Sequence, residues 1–358
     1  MKRITVKVGS NVLSRPDGTL DITRMSAIFD QLCALRSAGI EVILISSGAV
    51  ACGRSELRGL DTSRLDSVSS RQLFSAVGQV KLINRYYDLA RDNGVNVGQV
   101  LTMKENFSTR RHYLNQRCCM QVMLDHGIMP IVNENDTVSI TELMFTDNDE
   151  LSGLVAAMMD CDALIILSNI DGIFTGHPAD PSSRLIREVA PDTDLSDYIQ
   201  TERSGFGRGG MTTKYNIARK VAAEGIEVII ANGRRDNILT SLLLDDEASA
   251  PCTRFIPSPS TSSMKRWIAH SEGFAKGEVH INAKAAEAIT SRRAVSLLPV
   301  GVTAVNGEFE KDDLVSIIGP DGATIGIGRT AYDSAEAAEA IGMHERRPII
   351  HYDYLYIE

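Results

Sequence analysis

The sequence lacks the patterns that mark several common protein classes. Its six cysteines show no CxxC spacing, and its seven histidines include no HExxH motif, so disulfide staples and a Cys/His metal site are not expected. No apolar run approaches the roughly 20 residues that span a bilayer. The first residues, MKRITVKVGSN, begin a strand pattern without the apolar segment of a signal peptide. We therefore expect a cytoplasmic protein with reduced thiols and no membrane segment.

Positive charge is also scarce. The 358 residues include 37 Lys and Arg against 46 Asp and Glu, a formal net charge of −9. General binding to nucleic acid is not expected, because it needs a dense basic surface that displaces counterions. An anionic substrate must then be held by a few local cations. The length exceeds the size at which one hydrophobic core usually stops growing, which predicts two domains.

Over about the first 260 residues, short apolar runs alternate with longer helical patterns. This alternation is typical of βαβ units and predicts an α/β domain with a largely parallel sheet. Core strands are predicted at residues 4–8, 41–45, 95–101, 128–132, 163–167 and 227–231. The helical spacing of Ile217, Ala218, Val221 and Ala222 predicts a helix that ends near Gly225.

The composition and the pattern of the sequence change at the end of this region. The stretch PCTRFIPSPSTSS at residues 251–263 is rich in proline and serine, which predicts an inter-domain linker. Beyond it, glycine turns separate short strands, with helical patterns near residues 283–290 and 334–341, which predicts a small β-rich domain. We expect a catalytic domain at residues 1–258, a linker region at 259–275 and the small domain at 276–358.

Five polar or glycine-rich clusters follow predicted strands or open predicted helices. They occupy residues 7–11, 46–50, 133–137, 147–150 and 204–214. In an open α/β sheet, ligands bind beyond the carboxyl ends of the strands, and glycine lets backbone amides approach a phosphate. Ordinary turns and helix caps could explain each cluster alone. Together they bring two lysines, two glycine turns and two acidic clusters to strand ends or helix starts, which favours a ligand site.

The last cluster contains a misleading motif. Gly205, Gly207 and Gly210 match G-x-G-x-x-G, but the polar residues 192–203 before them form no strand pattern, as a dinucleotide fingerprint requires. No Walker A sequence occurs. What remains is a loop of backbone amides that ends in Lys214, which suits a transferring phosphoryl group. A carboxylate acceptor is already ionised near neutral pH, so such a transfer needs no catalytic histidine.

The segments VKVGSNVL, ISSGAV, VNENDTV, TDNDELSGLVA and GRGGMTTK resemble the amino acid kinase superfamily, and within it the glutamate kinases with a C-terminal PUA domain. MKRWIAHSEGFAKGEVHIN and SLLPVGV resemble that PUA domain. The resemblance implies a three-layer αβα sandwich that transfers a phosphoryl group from ATP, with Mg²⁺, to the side-chain carboxylate of L-glutamate. The product would be glutamyl 5-phosphate, the first intermediate of proline biosynthesis. It also implies inhibition by proline, a homo-oligomer (dimer or tetramer) and glutamyl-phosphate reductase as a candidate partner.

The resemblance also implies roles for individual residues. Lys7 and Lys214 would neutralise charge on the phosphoryl group, and Asp149 would hold both lysines in place. Glutamate would be held by Ser47, Asp136 and Asn148. ATP would contact Lys7, Gly9, Ser10, Gly48, Ser168, Asn169, Arg208, Gly209, Gly210, Met211, Thr212, Thr213 and Lys214. Mg²⁺ would be held mainly by the ATP phosphates and not by a protein side chain.

Two positions depart from the family pattern. Ser168-Asn169 stands where Thr-Asp is frequent, and Arg208 replaces a small residue at the start of the glycine loop. Two alternative functions stay open. One is a kinase of the same fold that acts on another small acid or a phosphonate. The other is an RNA-binding protein that uses the PUA domain, although residues 264–358 hold only 10 Lys and Arg against 14 Asp and Glu, the wrong balance for RNA.

Overall fold

The computed structural model describes residues 1–62, 64–107, 110–139, 145, 147–191, 193–195, 198, 210–245, 250–258, 275–291, 295–344 and 346–357. The chain divides into two compact units. One comprises residues 1–106 and 114–260, and the other comprises residues 107–113 and 261–358. The predicted linker at residues 259–275 lies outside the described residues, except for residue 275.

The first unit is built on a sheet with the strand order β3-β4-β2-β1-β5-β7-β8-β6. Its strands are β1 (Arg3–Val8), β2 (Glu41–Ser46), β3 (Asn96–Thr102), β4 (Ile128–Glu134), β5 (Ala163–Ser168), β6 (Glu188–Val189), β7 (Glu227–Asn232) and β8 (Cys252–Phe255). Neighbouring strands pair in parallel except β7 with β8. The six strands predicted from the apolar runs are confirmed, each end lying within two residues of its predicted position.

Helices cover both faces of this sheet. They are α1 (Ser10–Leu13), α2 (Ile22–Ser37), α3 (Ala49–Glu56), α4 (Ser67–Asp92), α5 (Arg110–Asp125), α6 (Asn148–Met158), α7 (Met211–Ala223) and α8 (Ile238–Leu243), with a 3-10 turn at Lys104–Phe107. Val6 and Val8 of β1 share a core with α2, α4 and α8. Lys7, between them in the strand, points to the opposite face, where it pairs with a residue of α6. The mostly parallel αβα sandwich is therefore confirmed, as is the helix predicted before Gly225.

The strand order decides where a ligand can bind. From β1, the chain adds β2, β3 and β4 on one side of the sheet and β5 and β7 on the other. This reversal at β1 opens a crevice beyond the carboxyl ends of β1, β2 and β5, which is the usual ligand site of open α/β sheets.

The proline- and serine-rich stretch at residues 251–263 was wrongly interpreted as a linker in its first part. Residues 252–255, assigned to a linker from their proline- and serine-rich surroundings, form β8, which pairs antiparallel with β7. Thr253 anchors the strand, since its hydroxyl donates to the carbonyl of Ile186 at 2.6 Å and accepts from the amide of Ile173 at 2.8 Å. A four-residue strand is too short to show a periodic pattern, and these partners are distant in sequence.

The second unit carries a five-stranded sheet in the order β10-β9-β11-β12-β13. Its elements are β9 (Gly277–Ile281), α9 (Ala283–Thr290), β10 (Val302–Gly307), β11 (Leu314–Ile318), β12 (Thr324–Thr330), α10 (Ser334–Ala340) and β13 (Ile350–Ile357), with a 3-10 turn at Pro299–Gly301. Apolar residues of the strands and of both helices share one core. The predicted small β-rich domain with two helical stretches is confirmed. Within the described part of the chain, no helix has both the length and the apolar character of a membrane span.

Candidate active site

A cleft of about 950 Å³ lies at the carboxyl ends of the central strands. Gly9 follows β1, Ser47 follows β2, Asp136 follows β4, and Ser168 ends β5, and all four residues line the cleft. The first turns of α6 and α7 also contribute. The cleft therefore occupies the crevice that the strand order predicts.

Two lysines meet one buried aspartate in this cleft. The Nζ atom of Lys7 lies 2.5 Å from Oδ1 of Asp149, and the Nζ atom of Lys214 donates to Oδ2 of the same carboxylate at 2.9 Å. The exposed fractions of Lys7, Lys214 and Asp149 are 5%, 9% and 0%. With two cations and one anion, the group has an excess positive charge next to the space where a ligand can bind.

The electrostatics of Asp149 follow from this arrangement. Burial alone raises the pKa of its carboxyl, but Lys7 and Lys214 outweigh burial and lower the pKa to about 2. Asp149 is therefore ionised at neutral pH and holds both ammonium groups in fixed positions.

Packing of α6 against α7 keeps these partners together. Gly153, one turn after Asp149, has no side chain, and a Cβ there would lie 3.0 Å from side-chain carbons of Ile217 and Val221. These residues follow Lys214 on α7. The close approach of the two helices thus places the Asp149 carboxylate beside the Lys214 ammonium.

Asp147 caps the first turn of α6. Its Oδ1 accepts from the amides of Asp149 at 2.8 Å and Glu150 at 3.1 Å, the usual role of an N-cap aspartate. Burial, and then the charge of Asp149, raise the pKa of Asp147 to about 6. Its buried Oδ2 has no hydrogen-bond partner among the residues that the structure describes. Other atoms of Asp147 line the cleft.

Two glycines form the predicted turns. The amide of Gly9 donates to the carbonyl of Leu167 at 3.1 Å, and a Cβ on Gly9 would lie 3.2 Å from that oxygen and 3.6 Å from Nζ of Lys7. Gly48, which precedes α3, has φ +110, a left-handed conformation that favours glycine. Both turns expose backbone to the cleft.

An amide cluster joins the ends of β2 and β4 to α6. The side-chain amide of Asn148 donates to Oγ of Ser47 at 2.9 Å and to Oδ1 of Asn133 at 3.0 Å. The amide of Asn133 in turn donates to Oε1 of Gln79 at 2.9 Å. Ser47, Asn133 and Asn148 all line the cleft and offer neutral donors and acceptors for a small polar molecule.

A charged cluster lies at the end of β4. Arg71 of α4 forms ion pairs with Asp136 and, at 3.1 Å, with Glu134, and Ser75 donates to the other oxygen of Asp136 at 3.3 Å. Burial, and then the charge of Asp136, raise the pKa of Glu134 to about 7, although Arg71 opposes the shift. Asp136 is thus held from both of its oxygens by residues of one helix.

The stretch after β5 is also anchored. Asp171 accepts from Nε and Nη2 of Arg235 at 2.7 and 2.6 Å and from the amide of Asn232 at 3.1 Å. These contacts hold the backbone next to Ser168 and Asn169, which line the cleft.

The structure brings most of the predicted site residues together. The cleft is lined by Lys7, Gly9, Ser10, Ser47, Gly48, Asp136, Asn148, Asp149, Ser168, Asn169, Gly210, Met211 and Lys214. Thr212 and Thr213 belong to the first turn of α7 but do not line it. Arg208 and Gly209 lie outside the described residues.

Sequence reasoning missed Arg71 and assigned no individual role to Asn133, Glu134 or Asp147. The last three belong to the polar clusters at residues 133–137 and 147–150, so the sequence carries a signal for them. Arg71 gave none, because a charged residue within an amphipathic helix usually faces solvent. Within the described ranges, no group of three or more His, Cys, Asp and Glu side chains is arranged to hold a metal ion.

Comparison with known proteins identifies two families along the chain. The model of the amino acid kinase family matches residues 2–232, and that of the PUA domain matches residues 277–352. A glutamate 5-kinase of Bacteroides thetaiotaomicron is 65% identical over 357 residues, covering 99% of this chain and 98% of that protein. One of Chlorobaculum tepidum is 47% identical over 361 residues, covering 99% and 97%.

Among solved structures, a UMP kinase of Bacillus anthracis aligns with a TM-score of 0.50 at 16% identity, covering 73% of this chain and 98% of that chain. At this identity the likeness shows the shared fold alone. The family match spans more than half of the chain, and the relatives align along nearly its whole length. The chain therefore belongs to the glutamate 5-kinase family, within the amino acid kinases that carry a C-terminal PUA domain.

Proposed function

We propose that the protein transfers the γ-phosphoryl group of ATP to the side-chain carboxylate of L-glutamate and so forms glutamyl 5-phosphate, the first step of proline biosynthesis. The observation that carries this proposal is the buried Lys7-Asp149-Lys214 group in a strand-end cleft. The substrate is proposed by analogy with the relatives, which are glutamate 5-kinases. Since ATP and free glutamate are cytosolic metabolites, the proposed site of the reaction is the cytoplasm.

The two lysines serve the phosphoryl group in this proposal. During the transfer, negative charge changes on the γ-phosphoryl group and on the oxygen that leaves with ADP. Cations in fixed positions stabilise this charge most strongly where water is excluded. Asp149 holds Lys7 and Lys214 together in fixed orientations, and the three side chains carry one net positive charge. The backbone turns at Gly9 and Gly48 would let phosphate oxygens approach main-chain amides.

The acceptor end would be formed by Ser47, Asp136 and Asn148, as the resemblance implies. Asp136 offers an anion for the α-ammonium of glutamate, and the hydroxyl and amide of Ser47 and Asn148 offer hydrogen bonds for its α-carboxylate. The side-chain carboxylate of glutamate is ionised at neutral pH, so it can attack phosphorus without a general base. The protein then needs only to position the two substrates and to neutralise charge.

Magnesium belongs to the proposal as a partner of ATP. In this proposal the ion is held mainly by the phosphates of ATP and not by a protein side chain. When bound, Mg²⁺ would neutralise part of the charge on the β- and γ-phosphates. Inhibition by proline, a homodimer or homotetramer, and contact with glutamyl-phosphate reductase stay predictions from the resemblance.

Removal of the Asp136 side chain tests the acceptor end. We expect Asp136→Ala to raise the glutamate KM by about 10- to 100-fold, since a charge-assisted hydrogen bond to the ammonium is lost, while the ATP KM changes little. Proline, which also carries an ammonium and a carboxylate, should inhibit less. Steady-state kinetics with either substrate varied measures both effects. An unchanged glutamate KM with a collapsed kcat would instead place Asp136 with the catalytic residues.

The proposed reaction itself is tested by acceptor choice. ATP consumption should be measured with purified protein and glutamate, aspartate, N-acetylglutamate, carbamate or UMP as the acceptor. We expect glutamate to give a kcat/KM at least about 100-fold above each of the others, because a mismatch that leaves buried polar groups unpaired costs several powers of ten. A higher value with any other acceptor would replace glutamate as the proposed substrate.

A further inference from the structure

We propose that Arg71 is a positioning residue for the acceptor substrate: it holds the carboxylate of Asp136 in the orientation that binds the α-ammonium of glutamate, with Glu134 as its second anchor. This inference rests on the proposed function and adds a residue, and a whole helix, to the acceptor site. Arg71 lies on α4, which follows no strand end and carries no sequence motif.

The contacts of Arg71 show what it fixes. Its Nη2 atom donates to Oδ1 of Asp136 and, at 3.1 Å, to Oε2 of Glu134. The other oxygen of each carboxylate is held as well, that of Asp136 by Ser75 at 3.3 Å and that of Glu134 by the amide of Phe145 at 3.1 Å. Neither carboxylate can turn without breaking a hydrogen bond.

Asp136 can still accept a ligand in this arrangement. A carboxylate has about four acceptor sites on its two oxygens, and Arg71 and Ser75 use one on each. Arg71 and Asp136 both line the cleft, with exposed side-chain fractions of 17% and 10%. The free lone pairs of a fixed, partly exposed anion are suited to an ammonium group.

The charge of the cluster also suits a cation. Above the raised pKa of Glu134, at about 7, the two carboxylates and one guanidinium carry one net negative charge. Without Arg71, the two neighbouring buried carboxylates would repel each other with no cation between them. Arg71 therefore keeps the two carboxylates close together and fixes the orientation of Asp136.

The packing of α4 explains how Arg71 reaches this place. The backbones of α3 and α4 approach each other closely at two glycines. A Cβ on Gly78 of α4 would lie 1.8 Å from the carbonyl oxygen of Ala49 in α3. A Cβ on Gly53 of α3 would lie 1.7 Å from the carbonyl oxygen of Phe74 in α4. Since α3 begins directly after Ser47 and Gly48, this contact ties α4 to the end of β2. Arg71 and Ser75, four residues apart, lie on one face of α4.

Binding of L-glutamate and of two analogues distinguishes recognition of the α-ammonium from recognition of the α-carboxylate. Glutarate lacks the α-ammonium, and 4-aminobutyrate lacks the α-carboxylate. Dissociation constants of both and of L-glutamate should be measured by calorimetry at pH 8 on the full-length protein and its variants. The ratio of the glutarate to the glutamate constant reports ammonium recognition, and the ratio of the 4-aminobutyrate to the glutamate constant reports carboxylate recognition.

We expect Arg71→Met to lower the ammonium ratio by about tenfold, the usual size of a lost charge-assisted contact, and to leave the carboxylate ratio within about twofold. Arg71→Lys should restore part of the ammonium ratio, because lysine keeps the charge but lacks the planar fork. Arg85→Met is the matched control, since Arg85 is an exposed residue of the same helix, and it should change neither ratio.

The outcomes are decisive in each direction. If Arg71→Met lowers the carboxylate ratio, Arg71 binds the substrate itself, and the proposal is overturned. It is also overturned if Arg71→Met binds glutamate as tightly as the wild type or more tightly.

If Arg71→Met does not fold, Ser75→Ala replaces it, because this variant removes the other contact to Asp136. Ser75→Ala should lower the ammonium ratio by about threefold. Wild-type ratios in both Ser75→Ala and Arg71→Lys would then overturn the proposal. Glutamate-dependent ATP consumption by the wild-type protein tests the proposed function separately.

Discussion

Replacement of Lys214 by methionine is expected to lower kcat by about 10²- to 10³-fold, and replacement of Lys7 should have a similar effect. The loss of one positioned electrostatic group at a reacting centre typically costs this much, and each ammonium is fixed on one oxygen of Asp149. Glutamate should bind nearly as tightly as before, because the proposed contacts of the acceptor lie at Ser47, Asp136 and Asn148. The fall should therefore appear in kcat and not in the glutamate KM.

Steady-state kinetics on Lys7→Met and Lys214→Met measure this difference. Arg219→Met is the matched control, since Arg219 is an exposed cation on the same helix as Lys214. Its kcat should stay within about twofold of the wild-type value, as expected for a surface substitution. If either lysine variant kept near wild-type turnover while its melting temperature was unchanged, that lysine would have no part in stabilising the phosphoryl group.

Asp149→Asn is expected to reduce both activity and stability. The variant keeps the shape of the side chain but leaves two buried ammonium groups with no anion between them. Removing one partner of a buried ion pair typically costs about 3–5 kcal/mol, and Asp149 is fully buried with two cationic partners. The lysines would separate, so kcat should fall by at least about 100-fold.

The pH dependence of stability distinguishes this cause from a packing defect. The pKa of Asp149 in the folded protein is about 2, below the roughly 3.9 of an unfolded aspartate. A lowered carboxyl pKa stabilises the fold above the unfolded pKa, and this stabilisation is lost as the pH falls through the folded pKa. Denaturant unfolding should therefore show a difference in unfolding free energy between wild type and Asp149→Asn at pH 7 to 8, and the part of it that comes from the ionised Asp149 should shrink below about pH 4.

Asp236→Asn is the control for this experiment, because its side chain is 88% exposed and its ion pair with Arg24 lies at the surface. An exposed pair contributes little, so the free energy of unfolding should change by less than about 0.5 kcal/mol at any pH. A pH-independent loss in Asp149→Asn would attribute its effect to packing alone.

Much of the fold could be predicted because its signals are local. Strands of a parallel sheet are buried on both faces and appear as continuous apolar runs, which is why β1 and β5 were located to within a residue. The polar clusters at residues 133–137 and 147–150 could be placed near a ligand by a general rule about strand ends. The rule needs only the order of strands and helices along the chain.

The pairing of side chains could not be predicted in this way. Arg71 and Asp136 are 65 residues apart, as are Asp149 and Lys214, and periodicity carries no information over that distance. The strand β8 was missed for the same reason, since its partner β7 and the contacts of Thr253 come from elsewhere in the chain.

The sequence by itself determined the α/β class, the small β-rich domain, the strand ends that form the cleft and the family. Only the tertiary structure decided that Lys7 and Lys214 share one carboxylate, that Arg71 joins Asp136 to Glu134, and that the pKa of Asp149 falls while that of Glu134 rises. The physical reason is that backbone preference and hydrophobic period depend on neighbours in the chain. A pKa or an ion pair depends instead on burial and on charges that packing brings within a few ångströms.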